Sequence, residues 1–211
     1  MSTTTHDCNM LDTFKNHLFI NMTSIQSPTN TQLTLAEFLQ LPETKPASEY
    51  IDGRIYQKPM PKGKHSAIQT FLAPAINQVA IPKKVARAFT ELRCTFGGRS
   101  IVPDITVFAW QRIPLDADGE IENTFEIAPD WSIEILSPEQ SPTRVINNIL
   151  FCLNNGTELG WLIDPQERMI MTLKPGQQPE IKQEEENLPV LSLLGDWQLS
   201  VKEVFSYLSL N

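Results

Sequence analysis

Two acidic residues stand inside apolar, strand-like frames, and chemistry is to be sought there first. Asp104 follows Pro103 in Ile101-Val-Pro-Asp-Ile-Thr-Val-Phe108. Glu134 lies between Ile133 and Ile135 in Asp130-Trp-Ser-Ile-Glu-Ile-Leu136. A carboxylate set in a strand is costly unless a cation or a hydrogen-bond donor meets it. If the two strands are neighbours, the carboxylates converge, and converging carboxylates repel unless a cation lies between them. Oxygen donors of this kind suit a hard divalent ion such as Mg2+ or Mn2+. The same residues admit a plainer reading, in which Asp104 caps a turn and Glu134 alternates to the solvent side of its strand.

Positioning such a pair requires a folded sheet, and the sequence supplies one. The chain has 211 residues, 41% of them apolar and 20% charged, enough for one domain with a real core. No apolar run approaches the roughly 18–20 residues that span a bilayer. The N-terminus lacks a signal-peptide pattern. Three cysteines, Cys8, Cys94 and Cys152, are odd in number, far apart and without a CxxC, which fits a reducing, cytoplasmic setting.

Residues 1–31, rich in Ser, Thr and Asn, read as a disordered N-terminal tail, with Met22 as a plausible shorter start. Residues 32–211 read as a single domain. A short helix is predicted over 33–41 with Thr34 as N-cap, followed by a hairpin over 50–56 turning at Asp52-Gly53. Apolar residues at three- and four-residue intervals predict helices over 64–79, where Pro74 is a candidate kink, and over 143–154. Strands are predicted over 85–96, 101–110, 130–136, 159–163 and 169–173. The Gln/Glu-rich stretch to Asn187 reads as a solvated loop, and residues 201–208 as a terminal helix. The pattern is α/β or α+β with a mixed central sheet.

Net charge is −8, but its distribution is uneven. From Arg54 to Arg112 there are ten Lys/Arg and two acids; the rest carries seven Lys/Arg and 23 acids. The basic block either forms a positive face or solvates one helix and a hairpin. Asp116-Ala-Asp-Gly-Glu120 has a faint calcium-loop look, but Pro114 stands at the first ligand position and it reads as an acidic turn. His65 is the only histidine in the folded region, so no Ser/His/Asp set is supported. No Gly-rich loop opens a helix to cradle phosphate. Trp131 and Trp161 sit in strand patterns and read as core.

An ordered series of short motifs resembles the Uma family of proposed restriction endonucleases, a branch of the PD-(D/E)XK nuclease superfamily. The series is Glu49-Tyr-Ile-Asp-Gly53, His65, Val-Pro-Asp104, Glu134-Ile-Leu-Ser-Pro138 and Leu159-Gly-Trp-Leu-Ile-Asp-Pro165. It covers roughly residues 33–209. The resemblance implies a restriction-endonuclease-like core, a mixed sheet flanked by helices. It implies Asp104 and Glu134 as metal-binding acids, joined by the backbone carbonyl of Ile135, with Glu49 as a third acid and His65 facing the site. By their residue types alone, Glu49 is equally a surface acid and His65 a polar helix end.

What the resemblance implies is Mg2+- or Mn2+-dependent hydrolysis of DNA phosphodiesters, the ion stabilising negative charge and activating water. Such folds often pair to cut both strands, so a homodimer is an expectation too. The superfamily's Lys two residues after the second acid is here Leu136. Many Uma-like sequences instead place a Lys on the following helix with an aromatic one turn on, and here those positions hold Asn148 and Cys152. Asn148 supplies no positive charge. Lys64, Lys83 and Arg93 are candidate replacements, and Gln140 and Asn147 candidate polar partners. Leu136 and Asn148 favour a second reading, a nuclease-fold protein that binds nucleic acid or a protein partner without cutting. The overall negative charge favours a third, a purely structural or interaction role.

Overall fold

A computed structural model describes residues 33–210. The tail expected over 1–31 and the start at Met22 lie outside the described residues. Helix α1 (Leu35–Phe38) opens with a reciprocal capping box between Thr34 and Glu37. Strands β1 (Ser48–Ile51) and β2 (Arg54–Gln57) form the expected hairpin, with Ile51 opposite Arg54. Asp52 (φ 50°) and Gly53 (φ 81°) are both left-handed, as a tight two-residue turn requires.

Helix α2 (Gly63–Lys83) is longer than its apolar pattern predicts and runs on through Pro74 and Pro82. His65, Ile68, Leu72, Ile76 and Ala80 form its buried face, at the three- and four-residue spacing of an amphipathic helix. Each fully buried Ile or Leu there contributes about 1.5–3 kcal/mol.

The two strands predicted over 85–96 and 101–110 are each broken. The chain forms β3 (Ala86–Thr90), β4 (Cys94–Phe96), β5 (Arg99–Ile101) and β6 (Ile105–Ala109). β5 pairs with β1 and β4 in a four-stranded sheet ordered β2-β1-β5-β4, whereas β6 belongs to a second sheet. Val102-Pro103-Asp104 is the crossing between them. Pro103 has no N–H to offer a ladder, so pairing stops where the chain changes sheets.

The second sheet is completed by β7 (Trp131–Ile135), β8 (Leu159–Asp164), β9 (Met169–Leu173) and β10 (Glu180–Gln183), in the order β10-β9-β8-β7-β6-β3. Only β7 and β8 are parallel, and helix α3 (Pro142–Asn154) makes the crossover between them. β10 replaces the loop expected there. It is an edge strand with exposed residues on both faces, so it carries no apolar alternation to read.

α2 and the terminal helix α4 (Val201–Ser206) cover one face of this sheet, where Ile68, Leu72, Ile133, Trp161 and Val204 share a core. Trp131 and Trp161 meet edge-to-face there, ring centroids 4.5 Å apart and both fully buried. α3 covers the other face with Val145 and Ile149 against Leu162 and Leu173. Gly160 admits that contact, since a Cβ there would lie 2.2 Å from Ile149 Cγ2.

Candidate active site

The register of β6 against β7 brings the two acids together. Ile105 lies opposite Ile133 in an antiparallel pair. One step further Asp104 faces Glu134, and directly opposed residues share a face. That face is not solvent: Asp104 is 0% exposed and Glu134 3%. The plainer reading of a turn cap and a solvent-facing acid does not describe them.

Asp104 is held by three donors. Oδ2 accepts from the Ile135 N–H at 2.7 Å and from His65 Nε2 at 3.0 Å, and Oδ1 from Lys58 Nζ at 2.5 Å. Lys58 also donates to the Val102 carbonyl at 2.7 Å and stands 3.7 Å from Glu134 Oε2. One ammonium therefore faces both acids, and its two distances bound the separation of those oxygens at about 6 Å.

Glu49, on β1, reaches the cluster from the four-stranded sheet. Its Oε1 accepts from the Val102 N–H at 2.9 Å and its Oε2 from Asn148 Nδ2 at 3.2 Å. The crossing segment is thus clasped by Glu49 at its N–H and by Lys58 at its carbonyl. Glu49 is a buried acid here, not a surface one, and His65 a buried contact of Asp104, not a polar helix end. Ile135 contributes its N–H to Asp104, a contact the carbonyl reading did not foresee.

The electrostatics follow from three carboxylates around one ammonium. Burial would raise Asp104, but Lys58 and the hydrogen bond from His65 hold it well below the usual carboxylate range. Burial would lower Lys58, but Asp104, Glu134 and Glu49 outweigh it and raise it. Glu134 is pushed well above its ordinary value, first by burial and then by the charges of Asp104 and Glu49, against the pull of Lys58. Burial raises Glu49 as well. The cluster is short of positive charge.

Lys58 is the residue that sequence reasoning missed. Lys64 and Lys83 are exposed, and Arg93 is spent on Glu43, Ser100 and the Ser48 carbonyl. A signal was present in the hairpin. Tyr56 pairs with Glu49 and the Lys58 N–H bonds the Ala47 carbonyl, so period-two counting puts Lys58 on the face of Glu49. Of the polar partners considered, Gln140 accepts from the Ser137 N–H and Asn147 is an exposed helix residue. Leu136 packs beside Val145 and Ile149.

The basic block is partly consumed by the fold as well. Arg99 pairs with Asp52 and Arg112 with Asp130, while Arg54, Lys62 and Lys64 stay exposed. Asp116 to Glu120 forms a turn closed on the Asp116 side chain, as expected of an acidic turn.

The donor set fits a hard divalent ion in a buried site. All the acids are oxygen donors, the cluster lacks positive charge, and a cavity of about 30 Å³ lies against Glu49, Lys58, Glu134 and Asn148. That is room for one or two waters. Among the described residues, no three His, Cys, Asp or Glu side chains converge tightly enough to cage an ion alone. Water or a backbone carbonyl would complete its shell.

A mixed sheet flanked by helices, with paired acids where the chain crosses between sheets, defines a restriction-endonuclease-like class. Over residues 35–202 the chain matches the family model described as Uma2, putative restriction endonuclease, and it belongs to that family. It is similar to a crystal structure described as a putative nuclease belonging to DUF820 from Anabaena variabilis ATCC 29413. The two are 58% identical, with a TM-score of 0.82 over 83% of this chain and 99% of that one. No curated protein matches the chain. No helix among the described residues is long and apolar enough to cross a membrane.

Proposed function

We propose that this protein is a divalent-metal-dependent endonuclease that hydrolyses DNA phosphodiester bonds. The observation that carries the reading is the meeting of Asp104 and Glu134 at a single ammonium in a cluster still short of positive charge. Asp104 and Glu134 would hold Mg2+ or Mn2+, with the Ile135 carbonyl as a further ligand. Bound there, the ion supplies charge neutralisation at the phosphate oxygens and lowers the pKa of water.

The chain's own groups do the rest. His65 Nε2 and the Ile135 N–H fix one oxygen of Asp104, Lys58 holds the other, and Asp104 would offer its remaining lone pair to the ion. A carboxylate oxygen has two lone pairs, so one further contact is open at Oδ1. Lys58 Nζ orients the attacking water and offsets the charge that develops on phosphorus oxygens. Glu49 anchors the crossing segment and thereby the position of Asp104. Asn148 holds Glu49 in turn.

The non-cutting reading rested on Leu136 and Asn148 at the expected lysine positions. Lys58 supplies a cation at the acids from a different element, which favours cleavage. A cytoplasmic site of action and a pair of chains for double-strand cuts go with this reading. The test is nicking of supercoiled plasmid by the purified full chain with Mg2+ or Mn2+. Wild type should nick, and Asp104→Asn should reduce the rate by a factor of about 100–1,000. Calorimetric binding of Mn2+ with no cleavage under any condition would favour the non-cutting reading instead.

A further inference from the structure

Beside the acid cluster lies a groove of about 640 Å³ whose walls come from two helix starts and the ends of β7 and β8. Lys62, Lys64 and His65 line one side; Ser137, Gln140 and Gln166 line the other. Gln140 also lines the small cavity against Glu134, and His65 bonds Asp104, so the groove adjoins the acid cluster through these two residues.

Three features make it a place for anions. Lys62 and Lys64 are exposed at its rim. Neither α2 nor α3 has a side-chain cap at its N-terminus, leaving first-turn N–H groups for another acceptor. His65 is 4% exposed, and its Nδ1 has no hydrogen-bond partner among the described residues while Nε2 serves Asp104. The opposing charges are Glu139 and Asp164. Glu139 pairs with Lys62 at 3.4 Å, but both side chains are more than half exposed, so the pair is worth little. Asp164 spends one oxygen on the N–H groups of Gln166 and Glu167.

We infer that this groove seats the phosphodiester backbone beside the bond to be cut, with Lys62, Lys64 and the α2 N-terminus as phosphate ligands. The inference rests on the nuclease reading and deepens it. Its volume falls within the about 300–1,000 Å³ of small-molecule sites, so it takes a short stretch of one strand and not the width of a duplex.

Binding of a labelled duplex and a labelled single strand, measured by fluorescence anisotropy with Ca2+ in place of Mg2+, tests it. Lys62→Ala/Lys64→Ala should bind about tenfold more weakly at low salt. Its plot of log affinity against log salt should be shallower by about 1.4 for the single strand and about 1.8 for the duplex, the slopes of two lost phosphate contacts. Glu139→Gln should bind more tightly, because Lys62 loses its competitor. Mn2+ binding by calorimetry should be the same in the double variant as in wild type. Unchanged affinity and salt slope in the double variant overturn the inference. So does a parallel loss of Mn2+ binding, or failure of wild type to bind either oligonucleotide. Lysine-dependent binding without cleavage would uphold the groove and sink the nuclease reading.

Discussion

Lys58→Met removes the charge at the centre of the site while keeping an apolar stem of similar reach. The attraction it deletes is large in gross terms. At an effective dielectric of about 20, opposite unit charges 4 Å apart attract by about 4 kcal/mol, and Lys58 is closer than that to both Asp104 and Glu134. Desolvation of the ammonium offsets much of this in the intact protein. Removing one partner of a buried pair nevertheless costs about 3–5 kcal/mol, because the remaining charges stay buried and uncompensated. Against a total stability of about 5–15 kcal/mol, that is readily measured by urea unfolding.

The pH dependence has a definite sign. Asp104 is depressed in the folded wild type, so its contribution is present above its unfolded pKa and lost as pH falls through the folded value. Lys58 is raised, so its contribution is complete below its ordinary value of 10.5. Both are in place from about pH 5 to 10. In the variant the acids lose the group that lowers them, and Glu134 is already raised well above 4.5. The stability gap between variant and wild type should therefore be widest near pH 8 and narrow towards pH 5, as protons replace the ammonium. Mn2+ should restore more stability to the variant than to wild type, where an occupant at 100 times its Kd adds about 2.7 kcal/mol. Plasmid nicking should fall by a factor of about 100–1,000. Asn148→Lys, introduced beside Lys58→Met, should recover part of both losses, since Asn148 lines the same cavity and already touches Glu49. Superimposable unfolding curves for Lys58→Met and wild type in chelator at pH 8 would refute the account of Lys58 as the balancing charge.

Gly160→Ala would drive a methyl into Ile149, which a packed interface resists by about 1–3 kcal/mol. Thermal unfolding should show the loss, and nicking should weaken with it because α3 carries Asn148 to Glu49. Cys94 and Cys152 are fully buried, and burial pushes the Cys94 thiol up to about 12. In a Cys8→Ser background neither should react with a thiol reagent at pH 8 until urea is added; rapid native labelling would contradict their burial.

Much of the site was readable because burial leaves a pattern. Asp104 and Glu134 stood out as acids in apolar frames, and the Ile105–Ile133 register turned that oddity into convergence. α2 and α3 were visible through their apolar spacing, and the β1–β2 turn through Asp52-Gly53. Lys58 was hidden because a lysine beside a proline just past a hairpin has the composition of a solvated loop. Its burial comes from the second sheet, which local sequence does not describe. The break at Val102-Pro103-Asp104 was obscured by the apolar residues on both sides, which continue one pattern across two sheets. β10 was unreadable for the opposite reason, as both of its faces carry exposed residues and leave no apolar alternation.

The crossing segment explains why the acids can be buried at all. A strand that stayed within one sheet would commit the Val102 N–H and carbonyl to a ladder. By leaving the first sheet at Pro103, the chain frees both for Glu49 and Lys58. The hairpin that carries those two residues is thereby tied to the start of β6, which carries Asp104. Charge balance and chain path are then one constraint. Lys58 can serve the acids because the hairpin is held against the crossing, and Glu49 helps to hold it there by accepting from the Val102 N–H, alongside the bonds that Lys58 and Gln69 make to the same segment. Loss of the acceptor in Glu49→Ala should loosen Lys58, and through it Asp104, without any change in the residues that would face the phosphate, and urea unfolding would register the loss.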